Sequence, residues 1–508
     1  MMHICPCMSV KSFAAKILAK RISGKLKNDA ANAVKHQNEI LSRLINQAKE
    51  TKFGSDHNFS GIKNYSDFFK QVGVNDYEGL KPYFDQVVEG KTDVLWPGKP
   101  TYLAKTSGTT SGTKFIPITK DSIPNHINSA RNMLLSYLNQ KNDASLLQGK
   151  LIFLQGSPEL TKTAGINTGR LSGIVAHHVP SYLQKNRLPS WKVNCIEDWE
   201  TKVDSVVNET MNHDMRLIGG IPPWLQMYFD KLIEKTGKKV GELFPNFNLL
   251  VHGGVNFSPY KGKLIESIGR DIDILETYPA SEGFIAFQDN YQEDGLYLNV
   301  NSGIFFEFVP LGEYHSENPI RLSLADIEVG VNYAVIINSN AGLWGYSIGD
   351  TIQFISKNPY RIIVTGRIKH FISAFGEHVI ASEVSDALAE TAPKFNLNVL
   401  EFTVAPQVNP ENGLPFHEWF IEFDKPVEPA IINELALAID SSLCKKNSYY
   451  RDLISGNILK PLVVSQLKAD GFKQYMQSIG KLGGQNKVPK LSNDRKIANS
   501  LTKYILKD

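Results

Sequence analysis

The fold is decided by the stretch Leu217-Ile218-Gly219-Gly220-Ile221-Pro222, which leads directly into a helical pattern over Trp224–Lys235. A short apolar step, two glycines that allow a tight turn and an early proline that suits a helix start follow one another there. The alternation continues on both sides, with a helical pattern at Trp199–Met211 and apolar runs at Leu151–Leu154, Leu249–Val251 and Ile272–Leu275. Alternating strand, turn and helix predicts an α/β architecture with a largely parallel sheet.

The pattern changes twice further along the chain. Beyond Asp289, β-like runs are separated by short connections, at Leu296–Val300, Phe305–Val309, Asn332–Ile337 and Ile352–Ile355. They predict a smaller β-rich subdomain attached to the α/β core. Beyond Gly366, helices are predicted from Ser382, over Ala430–Leu443 and after Asn493, and strands around Asn398–Val404 and His417–Phe423. We therefore predict a large N-terminal domain over 1–368, with mixed and parallel sheets, and a smaller α/β C-terminal lid domain over 369–508.

Composition defines the general class of protein. The 508 residues are 42% hydrophobic and 21% charged, which is ordinary for globular domains. The net charge is only +3 and the basic residues are scattered, so no nucleic acid or other polyanion is predicted as a partner. Four cysteines, Cys5, Cys7, Cys195 and Cys444, suit neither a disulfide framework nor a metal site and favour a reducing, cytoplasmic location. The oligomeric state is left open, with a monomer as one possibility.

The basic segment Met8–Leu26 has apolar residues at helical spacing between its lysines. A helix packed on the body of the protein and a helix lying on a membrane surface both fit this pattern, and the packed helix is favoured. No apolar run approaches the length of a transmembrane helix, so no stable membrane insertion is predicted.

A dense run of Gly, Ser and Thr ends in a lysine and is followed by the strand-like residues Phe115–Ile118. Glycines bring backbone N–H groups close to a ligand, hydroxyls donate to phosphate oxygens, and the lysine adds a mobile positive charge. The glycines are closer together than in a P-loop, and an isolated run of this kind is usually a solvent loop. The candidate phosphate-binding residues are Thr106, Ser107, Gly108, Thr109, Thr110, Ser111, Gly112 and Lys114.

This loop resembles the phosphate-binding signature of the adenylate-forming superfamily, which includes acyl-CoA synthetases, luciferases and peptide-synthetase adenylation domains. A second segment, Thr277–Gly283, follows in the matching order. Tyr278 offers an aromatic face for adenine, Ser281 can bond the α-phosphate, and Glu282 can hold Mg²⁺, which prefers oxygen ligands. The superfamily reads Tyr-Gly-x-Thr-Glu here, so Pro279 and Ser281 depart from the wider pattern and fit one branch of it.

Four further residues are assigned to the nucleotide. Gly253-Gly254, directly after a predicted strand, is a candidate wall of the adenine pocket. Asp350, in Tyr346-Ser347-Ile348-Gly349-Asp350, can accept hydrogen bonds from both ribose hydroxyls, and Arg367 can pair with a phosphate or orient the ribose. In the resembling enzymes Lys369 falls at the hinge between the large domain and the lid.

Details of these motifs resemble one branch, the Gretchen Hagen family of auxin-responsive acyl-acid amido synthetases and its bacterial relatives. The loop Thr106–Lys114, the segment Tyr278–Glu282, the stretch Phe371–Val379 and the tail Gly484–Leu491 all look like that branch. The resemblance implies that ATP activates a small carboxylic acid as an acyl-adenylate, which an amino acid then attacks. It also implies that Lys487 enters the site and stabilises charge during adenylation, with Lys490 as a nearby rival.

Several matters stay open at the level of sequence. Candidate acyl-acid contacts are Asn167–Arg170, Ser172–Pro180 with His177 and His178, and Pro222–Trp224. Neither the acid nor the acceptor amine is identified. An acyl-CoA ligase, with a thiol acceptor, and a non-catalytic nucleotide-binding sensor are the alternatives. The cofactors expected are ATP and Mg²⁺, and the catalytic candidates are Lys487 and Arg367.

Overall fold

The structure, a computed structural model, describes residues 10–107, 113–179, 184–254, 257–368, 371–372, 375, 379–408, 410–455, 459–482, 487–492 and 494–506. The chain forms two compact units. The first contains residues 1–254, 269–348 and 352–363, and the second contains 255–268, 349–351 and 364–508. Each unit therefore combines segments that are far apart in the chain but close together in the fold. The boundary predicted between residues 368 and 369 stays a prediction.

The strands have the following bounds. They are β1 Tyr102–Ser107, β2 Thr113–Ile118, β3 Lys150–Phe153, β4 Thr161–Thr163, β5 Ile166–Gly169, β6 Arg187–Leu188, β7 Met215–Gly220, β8 Leu249–Gly253, β9 Asp273–Ala280, β10 Gly283–Phe287, β11 Leu296–Leu298, β12 Ile304–Pro310, β13 Asn332–Ser339, β14 Leu343–Lys357, β15 Tyr360–Arg367, β16 Phe371–Ile372, β17 Val379–Ile380, β18 Val399–Gln407, β19 Phe416–Phe423 and β20 Val463–Leu467.

The α-helices of the described residues have the following bounds. They are α1 Val10–Ala31, α2 Ala33–Ala48, α3 Lys52–Asp56, α4 Tyr65–Gln71, α5 Tyr77–Val88, α6 Ile123–Lys141, α7 Leu171–Ala176, α8 Trp191–Asn194, α9 Trp199–Thr210, α10 Pro222–Thr236, α11 Val240–Leu243, α12 Ser258–Ile268, α13 Ala381–Thr391, α14 Pro429–Lys446, α15 Ser448–Ser455, α16 Gly471–Ser478 and α17 Lys496–Leu501.

The main sheet of the first unit has eleven strands in the order β12-β13-β14-β15-β11-β10-β9-β8-β7-β3-β6. The strands from β6 to β9 are parallel, and β9, β10, β11 and β15 pair antiparallel. The parallel half matches the strand–helix alternation of the sequence, because parallel neighbours need long crossovers. The predicted α/β class is confirmed, and the β-rich part continues the same sheet.

A second sheet of the first unit has the order β2-β1-β5-β4. In it β1 and β2 form an antiparallel hairpin, while β1 and β5 run parallel. The hydrophobic core lies against both sheets and includes the fully buried Trp344, Phe53 and Phe59, whose rings contact one another. This core is what holds the polar segments of the candidate site in place.

Helix α1 contains the predicted basic helix from Val10 onward and extends it to Ala31. It contacts α6, as the packed interpretation predicted, and Ala19, Ile22 and Leu26 are buried, while Phe13 and Ile17 are exposed. Within the described part of the chain, none of the helices combines the length and the apolar character that crossing a membrane requires.

The second unit is built on the three-stranded sheet β18-β19-β20, with β18 and β19 antiparallel and β19 and β20 parallel. Helices α13 and α14 pack together, and the apolar core includes the fully buried Trp419 and Tyr450. Helix α12, which belongs to this unit although residues 269–348 of the first unit follow it in the chain, also packs on α13 and β18.

Candidate functional site

The predicted phosphate-binding loop is carried by the β1–β2 hairpin. Thr106 and Ser107 end β1, and Lys114 lies in β2 opposite Thr106. The phosphate-binding loop was predicted over 106–114, with a strand only from Phe115, but both of its ends belong to the paired strands β1 and β2. Gly108, Thr109, Thr110, Ser111 and Gly112 lie outside the described residues, so their assignment stays a prediction.

The start of helix α5 supports Lys114. The Lys114 ammonium lies 5.3 Å from the centre of the Tyr77 ring, and the Phe115 N–H donates to the Tyr77 hydroxyl at 3.1 Å. A cation above an aromatic face is attracted by the ring quadrupole. Burial raises the pKa of the Tyr77 phenol, so Tyr77 stays neutral. Sequence reasoning missed Tyr77, because nothing in its local pattern marks a residue that contacts a strand about forty positions away.

The adenosine and metal segment forms the β9–β10 hairpin. Strand β9 continues to Ala280 rather than ending at Leu275 as predicted, and Gly283 opens β10, so Ser281 and Glu282 are the turn. Tyr278 is buried inside the strand. The strand can include Pro279 because β8 ends opposite Thr277, so its missing N–H costs no bond to β8.

Gly253 lies beside this segment at the end of β8. A Cβ on Gly253 would meet the Thr277 carbonyl oxygen at 2.4 Å, so only glycine allows the two strands to approach this closely. The Thr277 hydroxyl donates to the His252 carbonyl at 2.9 Å. Gly253 and Gly254 therefore lie next to the Tyr278 segment, as a wall of an adenine pocket requires, and that role stays a prediction.

Tyr346, in β14, contacts the predicted metal ligand. Its hydroxyl donates to Glu282 Oε1 at 3.5 Å, and burial followed by the negative charge of Glu282 raises the pKa of Tyr346. The backbone on either side is held by Asn75, whose N–H donates to Gly345 O and whose carbonyl accepts from Ser347 N, both at 2.7 Å. Asn75 lies two residues before the start of α5 at Tyr77, so one short segment supports both Tyr346 and Tyr77.

Gly345 makes this arrangement possible. Its φ is +55°, and an added Cβ would meet the Gly73 carbonyl oxygen at 2.1 Å. Any side chain there would push β14 away from the segment that precedes α5.

In the second unit, Asp350 and Arg367 form an ion pair. Arg367 Nε donates to Asp350 Oδ1 at 2.6 Å, with the arginine side chain 54% exposed and the aspartate 14%. Thr365 donates to Thr351 at 2.9 Å, and Ile368 N donates to Gly349 O at 2.8 Å. These bonds hold the end of β15 beside the middle of β14 and bring together two residues that the sequence assigned to the same nucleotide.

Lys487 lies near this pair. Burial among protein atoms and the positive charge of Arg367 lower the pKa of Lys487 to about 8, while Asp350 acts in the opposite direction. The residue as a whole is nevertheless exposed to solvent. The positive charge of Arg367 lowers the pKa of Lys487 even where the Lys487 side chain is exposed to water. Lys487 therefore lies close to both residues assigned to ribose and phosphate.

Lys490, the rival for the catalytic role, belongs to a different cluster of the second unit. Its ammonium pairs with Glu401 Oε1, donates to the Tyr260 hydroxyl at 3.0 Å and lies 4.7 Å from the centre of the Phe402 ring. The Tyr260 hydroxyl in turn donates to Glu401 Oε2 at 3.0 Å. These contacts assign Lys490 to packing between α12, β18 and the C-terminal tail.

The Glu282 carboxylate suits a magnesium ion that binds together with a nucleotide. Among the residues that the structure describes, no group of three or more His, Cys, Asp or Glu side chains could hold a metal ion. Mg²⁺ is usually bound by one or two carboxylates together with substrate phosphates and water. Glu282, at a turn between two strands, fits that role with a single carboxylate.

The two histidines proposed for the acyl-acid pocket make contacts within the first unit. His177 Nε2 lies 2.9 Å from the Pro158 carbonyl, and His178 Nε2 lies 3.1 Å from the Tyr102 hydroxyl. Burial lowers the pKa of His178. Their role in substrate binding stays a prediction, and Pro180 lies outside the described residues, as do Lys369, Gly376–His378 and Gly484–Asn486.

The fold is that of an adenylate-forming enzyme. It superposes on 2-hydroxyisobutyryl-CoA ligase in its postadenylation state with a TM-score of 0.58 at 13% identity, covering 96% of this chain and 91% of the ligase. It superposes more closely on the AtGH3.15 acyl acid amido synthetase in complex with 2,4-DB, with a TM-score of 0.80 at 17% identity and 96% coverage of both chains.

Three family models match this chain and identify its family within this class of enzymes. The GH3 family N-terminal domain matches residues 22–193, the central domain matches 297–367 and the C-terminal domain matches 382–496. The chain therefore belongs to the GH3 family, which is the Gretchen Hagen family that its motifs resemble.

Two curated relatives cover nearly the whole chain. The jasmonoyl–L-amino acid synthetase GH3.5 of Oryza sativa subsp. japonica is 22% identical, covering 91% of this chain and 93% of its own length. The indole-3-acetic acid-amido synthetase GH3.6 of Arabidopsis thaliana is 20% identical, covering 96% of this chain and 93% of its own.

Proposed function

We propose that this protein is an ATP-dependent acyl-acid amido synthetase, which activates a small carboxylic acid as an acyl-AMP and transfers the acyl group to an amino acid. The observation that carries the proposal is the match of all three family domains in order along the chain. Relatives that cover the chain almost end to end carry amido synthetase names. The cysteine content suits a cytoplasmic enzyme.

The residues of the first unit are assigned to phosphates and base. Lys114 and the hydroxyl-rich loop bind the terminal phosphates, Ser281 donates to the α-phosphate, and Tyr278 lies against adenine. Glu282 is the carboxylate assigned to Mg²⁺, which neutralises phosphate charge when it is bound. In the second unit Asp350 accepts from the ribose hydroxyls, and Arg367, already paired with Asp350, orients the ribose or a phosphate.

In the first half-reaction, a carboxylate oxygen of the acid forms a bond to the α-phosphorus and the bond to the β-phosphate oxygen breaks. The products are acyl-AMP and pyrophosphate. Positioning and electrostatic stabilisation supply most of the acceleration in such reactions. Lys487 supplies a positive charge where negative charge develops between the carboxylate and the α-phosphate.

In the second half-reaction, the amine nitrogen of the acceptor attacks the acyl carbonyl. The amide bond forms, the bond to AMP breaks, and the nitrogen loses a proton to solvent or to a nearby base. AMP leaves far more readily than the hydroxide of a free acid, because its phosphate is a much weaker base.

The proposed reaction is tested by exchange and by product mass. Incubating the protein with ATP, Mg²⁺, labelled pyrophosphate and a panel of carboxylic acids should produce label in ATP that depends on one class of acid. Adding amino acids afterwards should give an amide of the matching mass. Product that forms only with coenzyme A would contradict the amide assignment, and absence of exchange with every acid would favour a nucleotide-binding sensor.

The pH dependence of adenylation should reflect Lys487. Because the pKa of Lys487 is lowered to about 8, half of the lysine is cationic at that pH, and the cationic fraction falls as the pH rises further. We expect kcat/KM for exchange to fall about tenfold per pH unit above that point. Lys487→Arg keeps its charge over this range and should remove the descending limb, even if its rate is lower. A limb that persists unchanged in this variant belongs to another group.

A further inference from the structure

Phe284, two residues after Glu282, pairs with β9 on one edge of β10, and on its other edge its backbone is held by side chains rather than by a strand. Strand β11 ends at Leu298, opposite Ala286, and does not extend as far as Phe284. The Phe284 N–H donates instead to Asn125 Oδ1 at 2.6 Å, and Asn125 Nδ2 donates back to the Phe284 carbonyl at 3.3 Å. The Asn125 side-chain amide thus makes the two hydrogen bonds with Phe284 that the backbone of β11 would make if that strand were longer.

This contact is buried and supported in its turn. Asn125, in the first turn of α6, is 5% exposed. Asn299 Nδ2 also donates to the Phe284 carbonyl at 3.2 Å, and donates to the Ser129 hydroxyl at 2.6 Å. A buried network whose members are all hydrogen-bonded rigidifies the backbone that it contacts. The backbone fixed here begins two residues after the predicted metal ligand.

The side chain of Glu282 is held from another direction. Tyr346 is 2% exposed, and its hydroxyl donates to Glu282 Oε1 at 3.5 Å. Between the two supports, a Cβ on Gly283 would meet Ile304 Cδ1 at 2.5 Å, which leaves little room for the turn to shift. Asn125 therefore acts through the backbone and Tyr346 through the carboxylate.

We propose that Asn125 and Tyr346 are positioning residues that hold the Glu282 carboxylate in the orientation needed to bind a divalent cation together with nucleotide phosphates. The inference rests on the proposed function, in which Glu282 is the metal-binding carboxylate. Groups that orient a ligand of a metal ion commonly change metal affinity by about 10- to 100-fold when they are removed. Neither residue contacts the ion itself.

The experiment measures metal binding directly. Mn²⁺ binding to the full-length protein is followed by electron paramagnetic resonance in the presence of α,β-methylene-ATP, and the Mg²⁺ dependence of exchange is measured in parallel. Tyr346→Phe and Asn125→Asp should each weaken nucleotide-dependent Mn²⁺ binding about tenfold. Each should raise the Mg²⁺ concentration at half-maximal exchange, and saturating Mg²⁺ should restore much of the rate.

The matched control is Tyr137→Phe, which removes a hydrogen bond of 2.6 Å between α6 and Asp273 at the far end of β9. It should lower the unfolding midpoint without changing Mn²⁺ affinity. Asn125→Asp keeps the acceptor for the Phe284 N–H, and Tyr346→Phe keeps the ring, so at least one variant should fold.

The possible outcomes separate this inference from the proposed function. Weaker Mn²⁺ binding in both variants, with normal binding in the control, supports the positioning role. Variants that bind Mn²⁺ as the wild type does, or that differ only in unfolding midpoint, overturn it and leave the amido synthetase assignment intact. A wild-type protein without nucleotide-dependent Mn²⁺ binding overturns both.

Discussion

Replacing Lys487 with alanine is expected to lower acid-dependent pyrophosphate exchange by about 10²- to 10³-fold, the usual cost of removing one preorganised group that stabilises a transition state. Lys487 is exposed, and the charges that shift its pKa most are those of Arg367 and Asp350, which are assigned to phosphate and ribose. The loss should therefore appear in the rate of chemistry. The unfolding midpoint should stay close to that of the wild type.

Two comparisons make the result specific to Lys487. Lys481→Ala removes an exposed lysine of the same tail and should leave exchange unchanged. Acyl-AMP supplied preformed bypasses adenylation, so Lys487→Ala should still convert it to amide at a rate near that of the wild type. Exchange that is unaffected in Lys487→Ala would remove this residue from the mechanism and make Lys490 the next candidate.

Replacing Lys490 with alanine is expected to act on stability. Its side chain is 12% exposed and that of Glu401 is 18% exposed, so the ion pair is largely withdrawn from water. Removing Lys490 leaves the Glu401 carboxylate with only neutral donors, the Tyr260 hydroxyl and the Phe402 N–H. Removing one partner of a buried ion pair typically costs about 3–5 kcal/mol. We expect the free energy of unfolding, measured by equilibrium urea denaturation, to fall by about 3 kcal/mol.

A double variant tests whether the loss of stability comes from the unpaired charge of Glu401. Replacing both partners, in Lys490→Met with Glu401→Leu, removes both charges and should recover most of the lost stability. The backbone of the tail should hold in either case, because the Val404 N–H donates to the Lys490 carbonyl at 2.9 Å. A single Lys490→Ala variant that is as stable as the wild type but inactive in exchange would assign the catalytic role to Lys490.

Short sequence motifs predict some residues of the candidate site but not the limits of the strands that carry them. The hydroxyl-rich loop ending at Lys114 and the segments containing Glu282 and Asp350 were found because each is a short, chemically distinctive run. Their order along the chain matches that of the family. The limits of β9 were missed, because Pro279 and Ser281 have the local chemistry of a turn whereas pairing with β8 and β10 extends the strand to Ala280.

The supports around Glu282 had no signal in the sequence. Asn125 is 159 residues from Phe284, and Tyr346 is 64 residues from Glu282. An asparagine in the first turn of a helix resembles many others until the missing strand partner of Phe284 is known. Tyr346 begins the motif Tyr346–Asp350, but only packing of β14 against the segment before α5 places the Tyr346 hydroxyl beside the Glu282 carboxylate.

Fold class, family and the chemical groups offered to a nucleotide follow from the amino-acid sequence, because these depend on periodicity and on side-chain types within short stretches. Three-dimensional packing selects which of two lysines three positions apart pairs with Glu401 and which lies beside Arg367. That difference depends on partners contributed by distant elements, Tyr260 and Glu401 for Lys490 and the end of β15 for Lys487. Long-range packing selects those partners, and the local sequence does not encode them.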